Sequence, residues 1–356
     1  MSHYGAGCDA HRRYSQFAVL VQEGQLRRQT RVDHEPGAIQ AFLESVPEGT
    51  PVALESVGNW YWIADEIEAA GCLPLLTHAA KVMMGNVNKT DKLDAKGLAK
   101  LLHLESLPTV WFPPGEIRDE RELHRTRMAL SKLRTALKNR IHSTLAKYGI
   151  TSTEHRDIFA GAGRIWLHST LSRLPPETGR CVAQEIEALD GLQLQITQLE
   201  ERIRERIALT PSIQLLKTPP GVGDILAIVI DREVGSIDRF DTAGQFTSYA
   251  GLVPIVHASA GKNRFGHMRK PSSQYLKWAF IEAANVVVRH RHHPAWTTKY
   301  VCQVYDQVCQ RKGHAIAVGA VARHVAEAAF WILKRQQPYR PPANRQASPK
   351  RVRGRA

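Results

Sequence analysis

The spacing of hydrophobic and polar positions changes along the chain, and each change predicts a different element. Residues 5–22 alternate around Gly5, Gly7 and Cys8, turn through a polar stretch from His11 to Ser15, and return through Phe17-Ala18-Val19-Leu20-Val21. That pattern predicts a hairpin of two strands. A third strand is expected over 27–32, a helix over 38–46 and a short buried strand over 52–54 that ends at Glu55. The amphipathic stretch 60–70 predicts a helix closed by Gly71, and the apolar run 73–76 predicts one more strand. The resulting order, βββαβαβ, fits an α/β layer with a mixed sheet, an order shared by the ribonuclease-H-like arrangement.

Past Pro113-Pro114-Gly115 the period lengthens. Leu130, Leu133, Leu137, Ile141 and Leu145 fall on one helical face, and after Pro175-Pro176 a second series (Val182, Leu189, Leu192, Ile196, Leu199, Ile203) keeps a spacing of three and four. This suggests a coiled-coil hairpin or a dimer seam, with a buried bundle helix as the alternative. Near Ser212 a third region opens with Thr218-Pro219-Pro220-Gly221-Val222-Gly223-Asp224. A Pro-Gly-x-Gly turn between helices exposes backbone N–H groups beside a helix N-terminus, so Gly221 and Gly223 become candidates for phosphate contact; an ordinary tight turn reads equally well. The expected division is 1–112, an α/β domain; 113–211, a helical connection; 212–335, a helical domain; and 336–356, a basic disordered tail.

Charge narrows the partners. Lys plus Arg number 48 against 34 Asp plus Glu, a net charge of +14 in 356 residues, which favours a polyanion. Within 123–150 there are seven basic residues and no acid: Arg125, Arg127, Lys132, Arg134, Lys138, Arg140 and Lys147. A one-signed helix favours phosphate contact over a merely solvated face. No continuous apolar run approaches the roughly 20 residues that span a bilayer, so no membrane span is expected, and the polar start of the chain argues against a secretory signal. The five cysteines are scattered without a C-x-x-C pair, which points to reduced, mostly buried thiols. His290-Arg291-His292-His293 fits no common zinc spacing and reads as a helix C-terminus or a phosphate contact.

Four carboxylates carry the candidate chemistry. Asp9 lies on the first strand and Glu55 ends the strand over 52–54. Asp91 and Asp94, three apart on one helical face, sit in a basic surround with Lys89, Lys92 and Lys96. Four converging carboxylates repel one another and raise some of their pKa values unless divalent cations neutralise them. Hard oxygen donors suit Mg2+ or Mn2+, and two such ions serve phosphodiester cleavage. Taken as an isolated pair, Asp91 and Asp94 read more readily as residues that cap or solvate a helix; the site reading gains when all four carboxylates fall on the sheet positions the fold predicts.

Three segments resemble the DEDD transposases of insertion sequences, a family that includes the pilin-inverting recombinase and the bridge-RNA-guided recombinases. They are Gly7-Cys8-Asp9, Leu54-Glu55-Ser56-Val57-Gly58-Asn59-Trp60-Tyr61-Trp62, and Lys89-Thr90-Asp91-Lys92-Leu93-Asp94-Ala95. The second half adds Pro220-Gly221-Val222-Gly223, the run from Phe246 to Pro254, Ser259-Ala260-Gly261-Lys262, Gly266-His267 and Lys270. The resemblance implies a RuvC-like ribonuclease-H-fold domain with Asp9, Glu55, Asp91 and Asp94 as metal ligands. It also implies a coiled-coil connection and a helical transposase domain with a nucleophilic serine, placed at Ser259. The residues alone leave Ser248, Ser272, Ser273, Tyr249 and Tyr275 open as well. Lys262, Arg264, Arg269 and Lys270 would then steady phosphate charge. Cys8 replaces the usual aliphatic residue, and Pro271 stiffens a turn near the expected DNA contact. The resemblance further implies a DNA recombinase of bacterial cytoplasm, nucleoid-associated, with DNA and a bridge RNA as partners and a dimer or tetramer as its state. A RuvC-like junction-resolving endonuclease, or a catalytically silent nucleic-acid-binding derivative, are the alternatives.

Overall fold

The computed structural model describes residues 4–21, 23–78, 90–259, 262–268 and 272–342. It divides into two compact units, Met1–Pro113 and Pro114–Ala356. The expected strands and helices of the first unit are found in order: β1 (Gly5–Ala10), β2 (Tyr14–Leu20), β3 (Leu26–Asp33), α1 (Ala38–Leu43), β4 (Pro51–Glu55), α2 (Trp60–Ala69), β5 (Leu73–Thr77) and α3 (Asp91–His103). The sheet order is β3-β2-β1-β4-β5, with β1–β2 and β2–β3 antiparallel and β1–β4 and β4–β5 parallel. This mixed sheet is compatible with the ribonuclease-H-like fold.

The two faces of β1 have different jobs. Ala6, Cys8 and Ala10 join Val52, Leu54, Ile63 and Ile67 in one apolar core, covered by α1 and α2. Gly5 and Gly7 point the other way, where α3 crosses. A Cβ on Gly7 would lie 2.1 Å from the Ala95 carbonyl oxygen and 2.6 Å from the Ala99 nitrogen, so only glycine lets α3 lie this close to the strand. Ala95 and Ala99 complete the contact against Ala18 and Leu20 of β2. The next residue on the Gly5–Gly7 face is Asp9, so the packing of α3 delivers its N-terminal turn to that carboxylate.

The second unit is helical. α4 (Gly115–Lys147) and α6 (Pro176–Arg206) run antiparallel: Arg127 pairs with Glu200 at 2.6 Å, Arg134 with Gln193 at 2.6 Å, and Arg140 with Glu185. α5 (Gly161–Thr170) closes the far end of this hairpin over a core of Ile141, Leu145, Leu167, Val182 and Ile186. These contacts establish an antiparallel helix pair, the hairpin part of the expectation, and not the coiled-coil packing that went with it.

Seven further α-helices follow among the described residues: α7 (Pro211–Leu216), α8 (Asp224–Val234), α9 (Ala243–Tyr249), α10 (Gln274–His290), α11 (Pro294–Thr297), α12 (Tyr300–Lys312) and α13 (His314–Arg335). The two-stranded hairpin β6 (Pro254–Ser259) and β7 (Lys262–Met268) lies between α9 and α10 in sequence. α13 is long and apolar enough to cross a membrane by length and composition alone, although its apolar residues form no continuous run. Its Ala317, Val321, Ala322, Val325, Ala326 and Ala329 are buried against Phe246, Phe280 and Ala283, which is the environment of a core helix. The cysteines are all free, with Cys8, Cys72 and Cys302 buried. His290 ends α10, the helix C-terminus expected of that cluster.

Candidate metal and nucleic-acid site

Asp9 and Glu55 leave the sheet side by side. The parallel register pairs Gly7 with Ala53 and Cys8 with Leu54, so the next residues, Asp9 and Glu55, follow at the C-terminal ends of adjacent strands. Thr90 caps α3 by accepting from the Leu93 N–H, which sets Asp91 and Asp94 in the helix's first turn, where the helix dipole favours negative charge. Asp91 accepts a hydrogen bond from the Tyr14 hydroxyl at 2.8 Å.

His11 joins this group, a residue the sequence reading passed over. Its Nε2 stands 3.2 Å from Asp9 Oδ2 and 3.2 Å from Asp91 Oδ2. The three side chains bring one ligand atom each within 4.8 Å of one another. A signal for His11 existed: Asp9 and His11 are two apart along an extended strand and its turn, the period that places side chains on one face. Asn59, from the motif after Glu55, donates to the His11 carbonyl at 2.9 Å and so ties the β1–β2 turn to α2.

The electrostatics are those of a site with surplus acid. Burial raises the Asp9 pKa above the usual carboxylate range; the His11 charge opposes this, and the charges of Asp91 and Asp94 add to it. Asp91, more exposed, is held below that range, chiefly by the Tyr14 hydrogen bond. On the other face, burial first, and then the charges of Asp9 and Glu55, push the Cys8 thiol up to about 12, against a Ser15 hydrogen bond. Cys8 is therefore an inert core residue. A group of oxygen donors with unneutralised repulsion, only 13% exposed at Asp9 but 44% at Asp91, fits a divalent cation reached from solvent.

The basic positions sort differently. Arg125 binds Glu233 with Nε–Oε1 at 2.9 Å, Arg127 binds Glu200, Arg140 binds Glu185, and Arg134 donates to Gln193. The helix is one-signed in sequence only: Glu200 and Glu185 of α6 and Glu233 of α8 pair with three of its arginines. Lys132 is exposed, and Lys138 lies 4.7 Å from the Phe159 ring centroid. Gly221 also has a packing reason. Its φ is +92°, and a Cβ there would lie 2.3 Å from the Ala283 carbonyl oxygen of α10. Gly223 precedes α8 with open space around it, while Asp224 in the first turn pairs with Lys217 at 2.6 Å.

Ser259 and Lys262 form the last pair of the β6–β7 hairpin, and their description extends to the backbone alone. Arg264 is exposed on β7, paired in register with His257. Lys89, Arg269, Lys270, Pro271 and the tail beyond residue 342 lie outside the described residues.

Two family models match the chain. One, a DEDD transposase model, matches residues 6–150; the other, described as Transposase IS116/IS110/IS902 family, matches 213–301. The chain is similar to a probable family 20 transposase of Pseudomonas aeruginosa, 27% identical over 85% of this chain and 89% of that one. It is 28% identical to the transposase for insertion sequence element IS1111A of Coxiella burnetii, over 71% of this chain and 69% of that one. It is 24% identical to the pilin gene-inverting protein of Moraxella bovis, over 83% and 82%.

Proposed function

The chain belongs to the IS116/IS110/IS902 family of transposases, and from that premise we propose that it cleaves and exchanges DNA strands at the ends of an insertion sequence through a phosphoserine link, guided by a bridge RNA. The observation that carries the reading is the meeting of Asp9 with Asp91 at the strand end, imposed by α3 lying against Gly7.

Asp9, Glu55, Asp91 and Asp94 would hold the divalent cations, Mg2+ or Mn2+, whose charge offsets that of the reacting phosphate and lowers the pKa of an attacking hydroxyl. Before any cation binds, Tyr14 fixes the Asp91 carboxylate and the α3 dipole steadies both aspartates. Ser259 is the proposed nucleophile. Its Oγ forms a bond to a DNA phosphorus as the bond to the 3′ oxygen breaks, and the 3′ oxygen leaves as a hydroxyl. An exchanged 3′-hydroxyl reverses the step, so the strand is rejoined with no net loss of phosphodiester bonds. Lys262, Arg264, Arg269 and Lys270 supply positive charge to the phosphate. Target choice by RNA pairing would need no base-reading side chains, consistent with a chain whose exposed basic residues suit backbone contact. The working protein is a dimer or tetramer on this reading.

The test incubates the protein with Mg2+, the transcript flanking its gene and DNA spanning the element end, then seeks a protein–DNA adduct that survives denaturation. The adduct is expected, and Ser259→Ala and Asp94→Ala should each abolish it. Cleavage that survives Ser259→Ala but not Asp94→Ala would overturn the serine step and leave a metal-dependent nuclease.

A further inference from the structure

We propose that His11 is itself a metal ligand, so that the site of this chain is a mixed nitrogen and oxygen site selective for Mn2+ over Mg2+. This rests on the carboxylate site proposed above and specifies its metal.

The geometry is particular. One atom, His11 Nε2, stands 3.2 Å from an oxygen of Asp9 and 3.2 Å from an oxygen of Asp91. That nitrogen carries either one hydrogen or one lone pair, so it cannot donate a straight hydrogen bond to both oxygens. A cation among the three satisfies all of them. Metal–ligand bonds of about 2.1 Å place neighbouring ligand atoms of an octahedron about 3.0 Å apart, close to both observed separations. The arrangement is held from outside: Tyr14 donates to the same Asp91 oxygen, the His11 N–H donates to the Tyr14 carbonyl at 2.9 Å, and Asn59 holds the His11 carbonyl. These contacts fix the turn that presents the imidazole, as outer partners fix ligands in built metal sites. His11 remains 37% exposed, so a cation and a phosphate can both reach it.

The ligand set decides the metal. Mg2+ strongly favours oxygen and water, whereas Mn2+ accepts carboxylates and binds nitrogen-containing sites less tightly only than the later transition metals. An imidazole among the carboxylates therefore shifts preference from Mg2+ to Mn2+.

The experiment loads the intact protein with Mn2+ and records electron spin echo modulation, in which a directly bound imidazole gives a nitrogen signature. The wild type is expected to show it. His11→Asn and His11→Gln should bind Mn2+ at least about tenfold more weakly, lose the nitrogen signature, and discriminate less between Mn2+ and Mg2+. Mn2+ bound by wild type without nitrogen modulation, or with modulation that persists in both His11 variants, would overturn the inference and leave the carboxylate site standing. Mn2+ binding no stronger in wild type than in Asp9→Asn would overturn both.

Discussion

Two clusters of carboxylate and histidine, one in each unit, show how charge balance separates a site from a structural joint. In the second unit Glu233 of α8 is buried, with His124 at 2.9 Å, Arg125 at 2.9 and 3.2 Å, and Arg121 donating to the Arg232 and Glu233 carbonyls at the end of α8. Burial alone would raise the Glu233 pKa, but the hydrogen bonds from His124 and Arg125 and the charges of Arg121 and Arg125 outweigh it and bring it to about 2. The buried carboxylate there is met by two arginines and a histidine. In the first unit Asp9 faces Asp91 and Asp94 with a single histidine between, and its pKa moves up. The same residue types thus make a clamp joining α4 to α8 in one place and a socket with unspent negative charge in the other. What differs is the partner: among the described residues a histidine, not an arginine, stands between Asp9 and Asp91, which leaves room for an external cation.

The sharpest way to break this comparison is to remove the clamp's carboxylate. Glu233→Ala removes the buried carboxylate that His124, Arg121 and Arg125 share and should cost about 3–5 kcal/mol in urea unfolding; a loss under 1 kcal/mol would mean that the cluster is not a joint. Acid probes the same residues. Glu233 falls from an ordinary 4.5 to about 2 on folding, and burial lowers the His124 pKa below 6.5. The unfolded chain therefore binds more protons, and stability present near pH 7 declines as pH falls below about 6.5. The Glu233 share, worth about 3 kcal/mol, is lost between about 4.5 and 2. Denaturation curves across this range check the sign.

Gly7→Ala comes next. The added methyl meets the α3 backbone, so about 1–3 kcal/mol of stability should be lost, along with Mn2+ binding, because α3 carries Asp91 and Asp94. The smallest effect has the opposite sign. Asp9→Asn relieves a half-buried, repelled charge, so the metal-free protein should become more stable, by on the order of 1 kcal/mol, while strand cleavage disappears. Equal destabilisation by Asp9→Asn and Glu233→Ala would erase the distinction between socket and clamp.

Much of this was legible beforehand. The alternation around Gly5, Gly7 and Cys8 and the apolar runs ending at Glu55 and Leu76 place the strands within a residue or two, because a half-buried sheet imposes its period on the sequence. Asp9, Asp91 and His11 illustrate the limit. The two aspartates stood out as carboxylates in distinctive segments, whereas His11 acquires meaning only when the hairpin turn and α3 bring it between them. The ion pairs of the α4 arginines were hidden for a related reason: their acids, Glu185, Glu200 and Glu233, lie 45 to 108 residues away in sequence, beyond any local pattern. Gly221 looked like a phosphate turn because its need for glycine is visible, while the cause, the Ala283 carbonyl, is not. α13 escaped a search for apolar runs because its hydrophobic residues recur with helical period.

Calorimetric titration of Mn2+ into the intact, metal-stripped protein tests the central claim most directly. The account predicts saturable binding that Asp9→Asn and Asp91→Asn each abolish while both variants remain folded. Saturable binding of undiminished affinity in those variants would contradict it, as would a wild-type protein that takes up no Mn2+ at all.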